Sequence, residues 1–217
     1  MSKQNSYLGI WTDAEEDKKK GSGVGLLINK KWEKHLSRVK RNNSYHLEAL
    51  FIFKKQKILV VVVYIPHKDQ QIRKAIQQEI IRKGNECNRK NIRYIVISDF
   101  NDIRNKDLDQ NRTESKRTQK LPLLAWLENS NIIDTFRKLH PISKKFTRSN
   151  EIVKSRIDYI WILNELGKGL LQCDIIEADN ITNSDHSLVT AKLLTGIMKR
   201  VRTAACNKRL KSKQWHF

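Results

Sequence analysis

The sequence predicts an α+β fold in which helices pack against layered sheets. The apolar run at residues 58–65 has no polar alternation, which is typical of a strand buried on both faces. Between residues 72 and 81, apolar residues recur at helical spacing among Lys, Gln and Glu, which predicts an amphipathic helix of about three turns. Hairpin-like links and helical crossovers both occur along the chain, and the buried runs favour sheets that are covered on both sides.

The remaining elements follow from local composition, in chain order. Residues 7–11 hold the first apolar cluster, and small residues lead into a second apolar run at residues 21–28, so both segments are predicted strands. The glycines of the second run do not form a phosphate-binding loop, because the Gly-x-Gly-x-x-Gly spacing and a following helix are missing. Residues 47–53 and 58–65 form a predicted hairpin. The later predicted elements are a helix at residues 121–127 and strands at residues 94–98, 157–163 and 188–194.

The chain has 217 residues and a formal charge of +20, from 43 Lys and Arg against 23 Asp and Glu. At 39% hydrophobic and 30% charged residues, the composition excludes a disordered or low-complexity chain. The charge favours a polyanionic partner such as nucleic acid, and the alternative is simply the solvated surface of a Lys-rich protein. Basic residues crowd the end of the sequence. We therefore expect one globular domain at residues 1–195 and a basic tail or linker at residues 196–217.

No apolar stretch approaches the roughly 20 residues that a membrane-spanning helix needs, and the first residues contain no apolar segment typical of a secretory signal. Cys87, Cys173 and Cys206 are odd in number and widely spaced, which argues against a disulfide framework and against structural zinc. These observations predict an intracellular protein with no membrane contact and no disulfide-linked partner. The sequence leaves the oligomeric state open.

Polar residues that can carry chemistry gather where apolar strands end. Asp99 and Asn101 follow the strand at residues 94–98, and their spacing of two directs both side chains to the same side of an extended chain. The alternative is a purely local role, because Asp-x-Asn is also a good turn sequence. Tyr64 ends the longest apolar run just before a proline, where a core position with the hydroxyl at the rim is the simpler interpretation. His67 is a further candidate beside it.

A second group of candidates lies later in the sequence. Asp185 and His186 precede the strand at residues 188–194, and such a pair can bind a metal and move a proton, respectively, or form a capping turn. Asp158 lies inside an apolar run, where a carboxylate needs a cation or several hydrogen-bond donors. Its partner is either Arg156, two residues before it, or a protonated His186, and the sequence leaves both open.

Four short motifs follow one another along the chain: Tyr64-x-Pro66, Asp99-x-Asn101, the segment Ser155-Arg-Ile-Asp158-Tyr, and Ser184-Asp-His186. Together they resemble the endonuclease/exonuclease/phosphatase superfamily, which has the DNase I-like fold. Within it, the chain looks like the apurinic-type endonucleases of LINE-type retrotransposons, over roughly residues 7–194. The resemblance implies a four-layered α/β sandwich of two mixed β-sheets flanked by helices. It also implies phosphodiester cleavage with Mg²⁺ or Mn²⁺, and DNA as the partner.

For the first two motifs, the resemblance implies roles around the attacked phosphate. Asp99 would activate or orient the attacking water, and Asn101 would hold this water together with a phosphate oxygen. Tyr64 would lie against the phosphate. These roles need a carboxylate, an amide and a phenol near one another, which the resemblance implies and the sequence pattern alone does not.

For the later motifs, the resemblance implies metal binding and proton transfer. Asp185 would reach the metal, while His186 would act as the acid/base or donate to the phosphate, oriented by Asp158. Contacts to nucleic acid are expected from four basic residues, which are Arg156, Lys199, Arg200 and Arg202. The resemblance to retroelement proteins favours a nuclear location.

The sequence departs from the family pattern in two places. Ser98 stands where the family usually has Gly, which is a mild change of backbone. The family also begins with a strand that ends in Asn, a helix, and a strand followed by the Glu that is its principal metal ligand, and this strand-helix-strand unit does not precede Tyr7. We therefore expect impaired catalysis. The alternatives are a non-catalytic, basic nucleic-acid-binding remnant and, less favoured, a phosphatase of the same superfamily.

Overall fold

The structure is a computed structural model that describes residues 6–13, 22–54, 56–111, 121–150, 152–177 and 184–194 and the backbone of residues 214–216. The chain divides into two compact units, Met1–Asn101 and Asp102–Phe217. Among the described residues, no helix is both long and apolar enough to cross a membrane.

Within its described residues, the first unit contains two sheets and one long helix. Its elements are β1 (Tyr7–Trp11), β2 (Gly25–Asn29), α1 (Lys30–Glu33), β3 (Leu36–Asn43), β4 (His46–Phe53), β5 (Gln56–Tyr64), α2 (Gln70–Arg89) and β6 (Arg93–Asp99). Strands β1 and β2 pair antiparallel. Strands β3, β4 and β5 also pair antiparallel in that order, whereas β6 joins β5 in parallel, so the larger sheet is mixed.

The predicted hairpin of two apolar strands is confirmed, because β4 pairs with β5 along its whole length. The neighbouring residues Val60 and Val61 point to opposite faces of β5, and both are buried. The strand is therefore covered on both sides, as its unbroken apolar run predicts. The parallel partner β6 corresponds to the strand predicted at residues 94–98.

Helix α2 has 20 residues, Gln70–Arg89, and is therefore longer than the three turns that the sequence predicts. It begins at Asp69, whose carboxylate accepts a hydrogen bond from the N–H of Ile72 at 3.0 Å. Its second half is polar but carries ion pairs one turn apart, such as Glu86 with Lys90 at 2.6 Å. These pairs add support to a buried face that continues through Gly84 and Cys87.

In the described part of the second unit, short helices accompany three groups of paired strands. Its elements are α3 (Pro122–Asn129), β7 (Ile132–Asp134), α4 (Thr135–Leu139), β8 (Arg148–Ser149), β9 (Lys154–Ser155), β10 (Asp158–Leu163), α5 (Asn164–Gly167), β11 (Leu170–Ile176), β12 (Leu188–Leu194) and β13 (Gln214–His216). The antiparallel pairs are β7 with β10, β8 with β9, and β12 with both β11 and β13.

The predicted strands at residues 157–163 and 188–194 and the helix at residues 121–127 are confirmed, with shifts of one or two residues at their ends. Cys87 and Cys173 are buried free thiols, and burial raises the pKa of each to about 11. Neither thiol is therefore activated as a nucleophile at neutral pH. Cys206 lies outside the described residues.

Candidate functional site

Tyr64 and Asp99 lie opposite each other at the ends of neighbouring parallel strands. Each is the last residue of its strand, β5 or β6, and the register pairs the two directly. The N–H of Ile65 donates to the carbonyl oxygen of Asp99 at 2.9 Å, which extends the pairing by one residue. The ring of Tyr64 stacks on the buried ring of Tyr45 with centroids 6.2 Å apart. This edge of the sheet thus presents a phenol beside a carboxylate.

Asn101 closes a tight turn onto the carboxylate of Asp99. Its φ of 47° is left-handed, a conformation that Asn adopts more readily than most residues. Its backbone N–H and its Nδ2 donate to the two carboxylate oxygens of Asp99, at 2.7 Å and 3.2 Å respectively. Nδ2 also donates to the carbonyl oxygen of Ile65 at 3.1 Å. The predicted turn is therefore present, and it fixes the orientation of the Asp99 side chain.

In the second unit, His186 Nδ1 lies 3.0 Å from Asp158 Oδ2. Both side chains are partly accessible, at 30% for His186 and 21% for Asp158. If Nδ1 carries the proton and donates to the carboxylate, Nε2 is the basic nitrogen of the neutral ring. Of the two partners that the sequence leaves open for Asp158, the structure selects His186 and not Arg156.

Thr147 supports both members of this pair. Its buried Oγ1 accepts hydrogen bonds from the N–H groups of Ile157 and Asp158, each at 3.0 Å, and so fixes the start of β10. Its carbonyl oxygen accepts from the N–H of Ser187 at 2.7 Å, next to His186. A single buried residue therefore sets the backbone on both sides of the Asp158–His186 contact.

Asp185 carries an exposed carboxylate that is paired with Arg148. Arg148 Nε donates to Asp185 Oδ2 at 3.0 Å, and this hydrogen bond holds the pKa of Asp185 below its usual range. The backbone N–H of Ser149 donates to the Asp185 carbonyl oxygen at 3.0 Å. An isolated antiparallel bridge between Arg148 and His186 completes the link between β8 and this segment.

The solved structures that are similar to this chain include three that each match it over 87% of its length. The catalytic domain of Xenopus laevis APE2 has a TM-score of 0.70 and 16% sequence identity, with 76% of its own chain covered. The 3′ phosphatase NExo from Neisseria, bound to a product DNA hairpin, has a TM-score of 0.66 and 15% identity, with 79% covered. The 3′–5′ exonuclease NExo from Neisseria meningitidis has the same score and identity, with 80% covered.

These neighbours are DNase I-like enzymes, and the mixed sheet with flanking helices matches them. This chain has the DNase I-like fold. At 15–16% identity, the likeness shows the fold and not an activity. No protein-family model matches the sequence, and the search of curated proteins found no match.

Within the DNase I-like fold, Arg156 is a core residue and not a nucleic-acid contact. It is 1% exposed. Its guanidinium pairs with Asp109 at 2.9 Å and with Asp134 at 2.7 Å, and it lies 4.5 Å from the ring centroid of Tyr159. A buried guanidinium that is shared between two carboxylates has no access to a phosphate. The prediction that Arg156 contacts nucleic acid is therefore wrong.

Arg148 is a residue of the site that the sequence analysis missed. It lies in β8, which has only two residues and no apolar periodicity. Its partner Asp185 is 37 positions further along the chain. Since the contact depends on tertiary structure alone, no local sequence signal reveals it.

The roles of several predicted residues stay predictions. His67 is exposed in the segment that precedes α2. Lys199, Arg200 and Arg202 lie outside the described residues, so their contacts with nucleic acid stay predictions.

Enzymes of the DNase I-like superfamily typically depend on a divalent metal, and the donor chemistry of Asp185 fits one. Carboxylate oxygens are preferred ligands of Mg²⁺ and Mn²⁺. The Asp185 side chain is 53% exposed, and with its lowered pKa it is ionised at neutral pH. Arg148 already holds one of its oxygens, so a metal ion bound there would compete with this guanidinium.

Proposed function

We propose that this chain hydrolyses phosphodiester bonds of nucleic acid as an endonuclease-type enzyme that uses Mg²⁺ or Mn²⁺. The observation that carries the proposal is the 3.0 Å contact between His186 and Asp158 on a DNase I-like fold. Support also comes from the structural neighbours, two of which are named as a 3′ phosphatase bound to product DNA and a 3′–5′ exonuclease. We assign the activity to residues 1–195 and propose that residues 196–217 are a basic tail or linker, near whose end Gln214–His216 pair with β12 as β13.

His186 supplies the proton path of the proposed reaction. With Nδ1 directed at Asp158, Nε2 is the atom that exchanges a proton with the phosphate or the leaving oxygen. Asp158 holds the ring in one tautomer and stabilises the imidazolium when it forms. Thr147 matters indirectly, because it fixes the backbone from which Asp158 projects.

Asp99 and Asn101 orient the attacking water in this proposal. A carboxylate whose direction is fixed by two donors is a preorganised acceptor for a water proton, and this is the role that the family resemblance implies. Tyr64, directly opposite Asp99 in the register, supplies a phenolic O–H for the phosphate. The assignment rests on the resemblance and on the arrangement at the end of β5 and β6.

Asp185 is the proposed metal ligand. When bound, a divalent metal neutralises negative charge that develops on the phosphate. The chain's own contribution is an ionised carboxylate on the residue next to His186. The formal charge of +20 supports DNA as the substrate, and the order of the motifs supports a retroelement-type endonuclease with a nuclear location.

Nicking of supercoiled plasmid DNA tests the proposal. We expect slow nicking in Mg²⁺ or Mn²⁺, no nicking in a chelator, and a rate lower by about a further 10²- to 10⁴-fold in His186→Ala, Asp158→Asn and Asp99→Asn. Asp107→Asn, which changes an exposed carboxylate in a turn, is the matched control and should keep the wild-type rate. If all three site variants cleave as fast as the control, the proposal fails.

Two extensions of this assay separate related activities. DNA that carries a 3′-phosphate, together with a panel of soluble phosphate esters, distinguishes a phosphatase from an endonuclease. The turnover of the wild-type chain tests the expected impairment of catalysis.

The Arg148–Asp185 ion pair favours a second candidate, in which the chain binds nucleic acid without cleaving it. In this candidate the guanidinium occupies the carboxylate that a metal would need. Tight, salt-sensitive DNA binding with no nicking in any metal would support it. Cleavage that Asp99→Asn or His186→Ala abolishes would exclude it.

A further inference from the structure

We propose that Arg73 is a positioning residue for Asn101, an inference that rests on the proposed function of Asn101. Arg73 lies in the first turn of α2 and is 1% exposed. Its Nη1 donates to the carbonyl oxygen of Pro66 at 3.1 Å, and its Nη2 donates to the carbonyl oxygen of Asn101 at 3.2 Å. One guanidinium thus ties together the segments that follow β5 and β6.

Asn101 needs such support because its backbone conformation is unfavourable. A left-handed residue other than Gly costs roughly 1 kcal/mol or more. The turn offsets this cost through three sets of hydrogen bonds, in which Asn101 donates to Asp99, donates to Ile65 and accepts from Arg73. Arg73 binds the carbonyl group of Asn101, whereas Asp99 binds its N–H group.

The geometry of the contact requires arginine rather than a positive charge alone. The two acceptors are carbonyl oxygens on different segments, and a planar guanidinium meets both with separate N–H groups. A lysine at this position keeps the charge but is a single point donor on a flexible stem. We therefore expect Arg73→Lys to release the Asn101 turn while leaving the net charge unchanged.

Arg93 of β6 offers a matched control in the same unit of the chain. It is 9% exposed, begins β6 at the end opposite to Asp99, and donates to Gln56 at 2.7 Å. Arg93→Lys removes a comparable buried guanidinium without touching Asn101. A comparison of Arg93→Lys with Arg73→Lys therefore separates a general loss of stability from a loss of the Asn101 position.

The first experiment measures kcat and KM for DNA cleavage in both variants. For Arg73→Lys we expect kcat to fall about 10- to 100-fold with KM nearly unchanged, because misplacement by about 1 Å is enough for such a loss. For Arg93→Lys we expect the wild-type kcat. In an Asn101→Ala background, Arg73→Lys should cause no further loss, since the two residues act as a unit. A wild-type kcat in Arg73→Lys, or an undiminished loss in that background, overturns the proposal.

A second experiment does not depend on activity. Amide hydrogen exchange measured by NMR reports the N–H of Asn101, which is bonded to Asp99. We expect Arg73→Lys to accelerate this exchange about tenfold, and Arg93→Lys to leave it unchanged. Unchanged exchange in Arg73→Lys overturns the positioning role. If the wild-type chain does not cleave DNA, the proposed function fails, while the exchange rates still decide the role of Arg73.

Discussion

Thr147 is a residue whose hydroxyl serves two backbone groups at once. Its Oγ1 accepts from the N–H groups of Ile157 and Asp158, and the residue is fully buried. In Thr147→Val both donors lose their acceptor in a site that water does not reach. We expect the free energy of unfolding to fall by about 2 kcal/mol or more.

Thr147→Ser is the matched control, since it keeps the oxygen and removes one methyl group. Urea denaturation should show a much smaller loss of stability for this variant. If Ser and Val destabilise the protein equally, the hydroxyl is not the source of the effect. The cleavage rate of each variant then shows whether the backbone at Asp158 also sets the activity.

If Asp185 binds the metal as proposed, Arg148 competes with the metal for its carboxylate, which leads to a second expectation. An exposed ion pair of this kind contributes at most about 1 kcal/mol, so its removal improves metal affinity by no more than about fivefold. We expect Arg148→Met to tighten Mn²⁺ binding within this limit and to raise the pKa of Asp185 towards its ordinary value. Calorimetric titration with Mn²⁺ and NMR titration of the Asp185 carboxyl measure the two effects. Weaker Mn²⁺ binding in the variant would mean that Arg148 helps to assemble the metal site.

The partner of Asp158 shows what residue-level reasoning can reach from the sequence. Alternation along a strand offers Arg156 as the neighbour on the same face, but β10 begins only at Asp158. Arg156 therefore lies outside the regular pleat. It turns to Asp109 and Asp134, which are 47 and 22 positions away. The resemblance of the motifs favours a contact between Asp158 and His186. The sequence around Arg156 gives no sign of its ion pairs with Asp109 and Asp134, because both partners are distant in the chain.

At the scale of elements, predictability follows the hydrophobic pattern. The sequence predicts β5 and β6 correctly because their apolar runs are continuous, and a buried parallel pair of strands needs such runs. β3 is missed because its sequence, LSRVKRNN, is largely polar and exposed, and its pairing with β4 alone makes it a strand. The end of α2 is missed because its buried face continues through Lys83, Gly84 and Cys87, residue types that do not stand out as an apolar stripe, and ion pairs add support on the exposed side.

The junction between β4 and α2 leads to an expectation about pH. His46 on β4 is fully buried, and burial lowers its pKa below the ordinary value of 6.5. Glu48 lies 3.4 Å from His46 and 3.0 Å from Lys83 of α2, so the cluster joins the strand to the helix. Glu79 raises and Lys40 lowers the pKa of His46 to a smaller extent.

The sign of the pH dependence follows from this lowered pKa. Above a pH of about 6.5 neither state protonates His46, and the stability is complete. Below it the unfolded chain binds a proton that the folded chain does not, so the free energy of unfolding falls by up to about 1.4 kcal/mol per pH unit until the folded pKa is passed. Urea denaturation between pH 7 and 5 measures this slope. His46→Gln should flatten it, and an unchanged slope in that variant would assign the effect to other groups.

At the scale of the whole molecule, the fold is more predictable than the reaction. Apolar runs and a set of ordered motifs are enough to predict the DNase I-like fold, which three structural neighbours match at 15–16% identity. The charge of +20 belongs to this scale as well, because it acts on any polyanion through the combined field of the surface. The contribution of individual basic residues to DNA binding is a separate question, and it is open to measurement.

Salt dependence provides that measurement. In a plot of the logarithm of the binding constant against the logarithm of the salt concentration, each neutralised phosphate makes the slope more negative by about 0.9. A protein that neutralises about 6–10 phosphates loses about 10³- to 10⁵-fold in affinity between about 50 and 200 mM salt. We expect a loss in this range for duplex DNA, measured by fluorescence anisotropy. If the tail contacts DNA, the slope should become shallower by about 2–3 when three tail residues are replaced with Gln. These residues are Lys199, Arg200 and Arg202.

A second triple variant makes this test specific, because it removes the same charge from exposed lysines elsewhere. The control residues are Lys68, Lys106 and Lys168. A distributed field predicts equal, small changes for both triple variants, since only the net charge enters. Direct phosphate contacts by the tail predict a shallower slope for the tail variant alone. Equal slopes would therefore remove the three tail residues from the nucleic-acid interface and leave DNA binding to the surface as a whole.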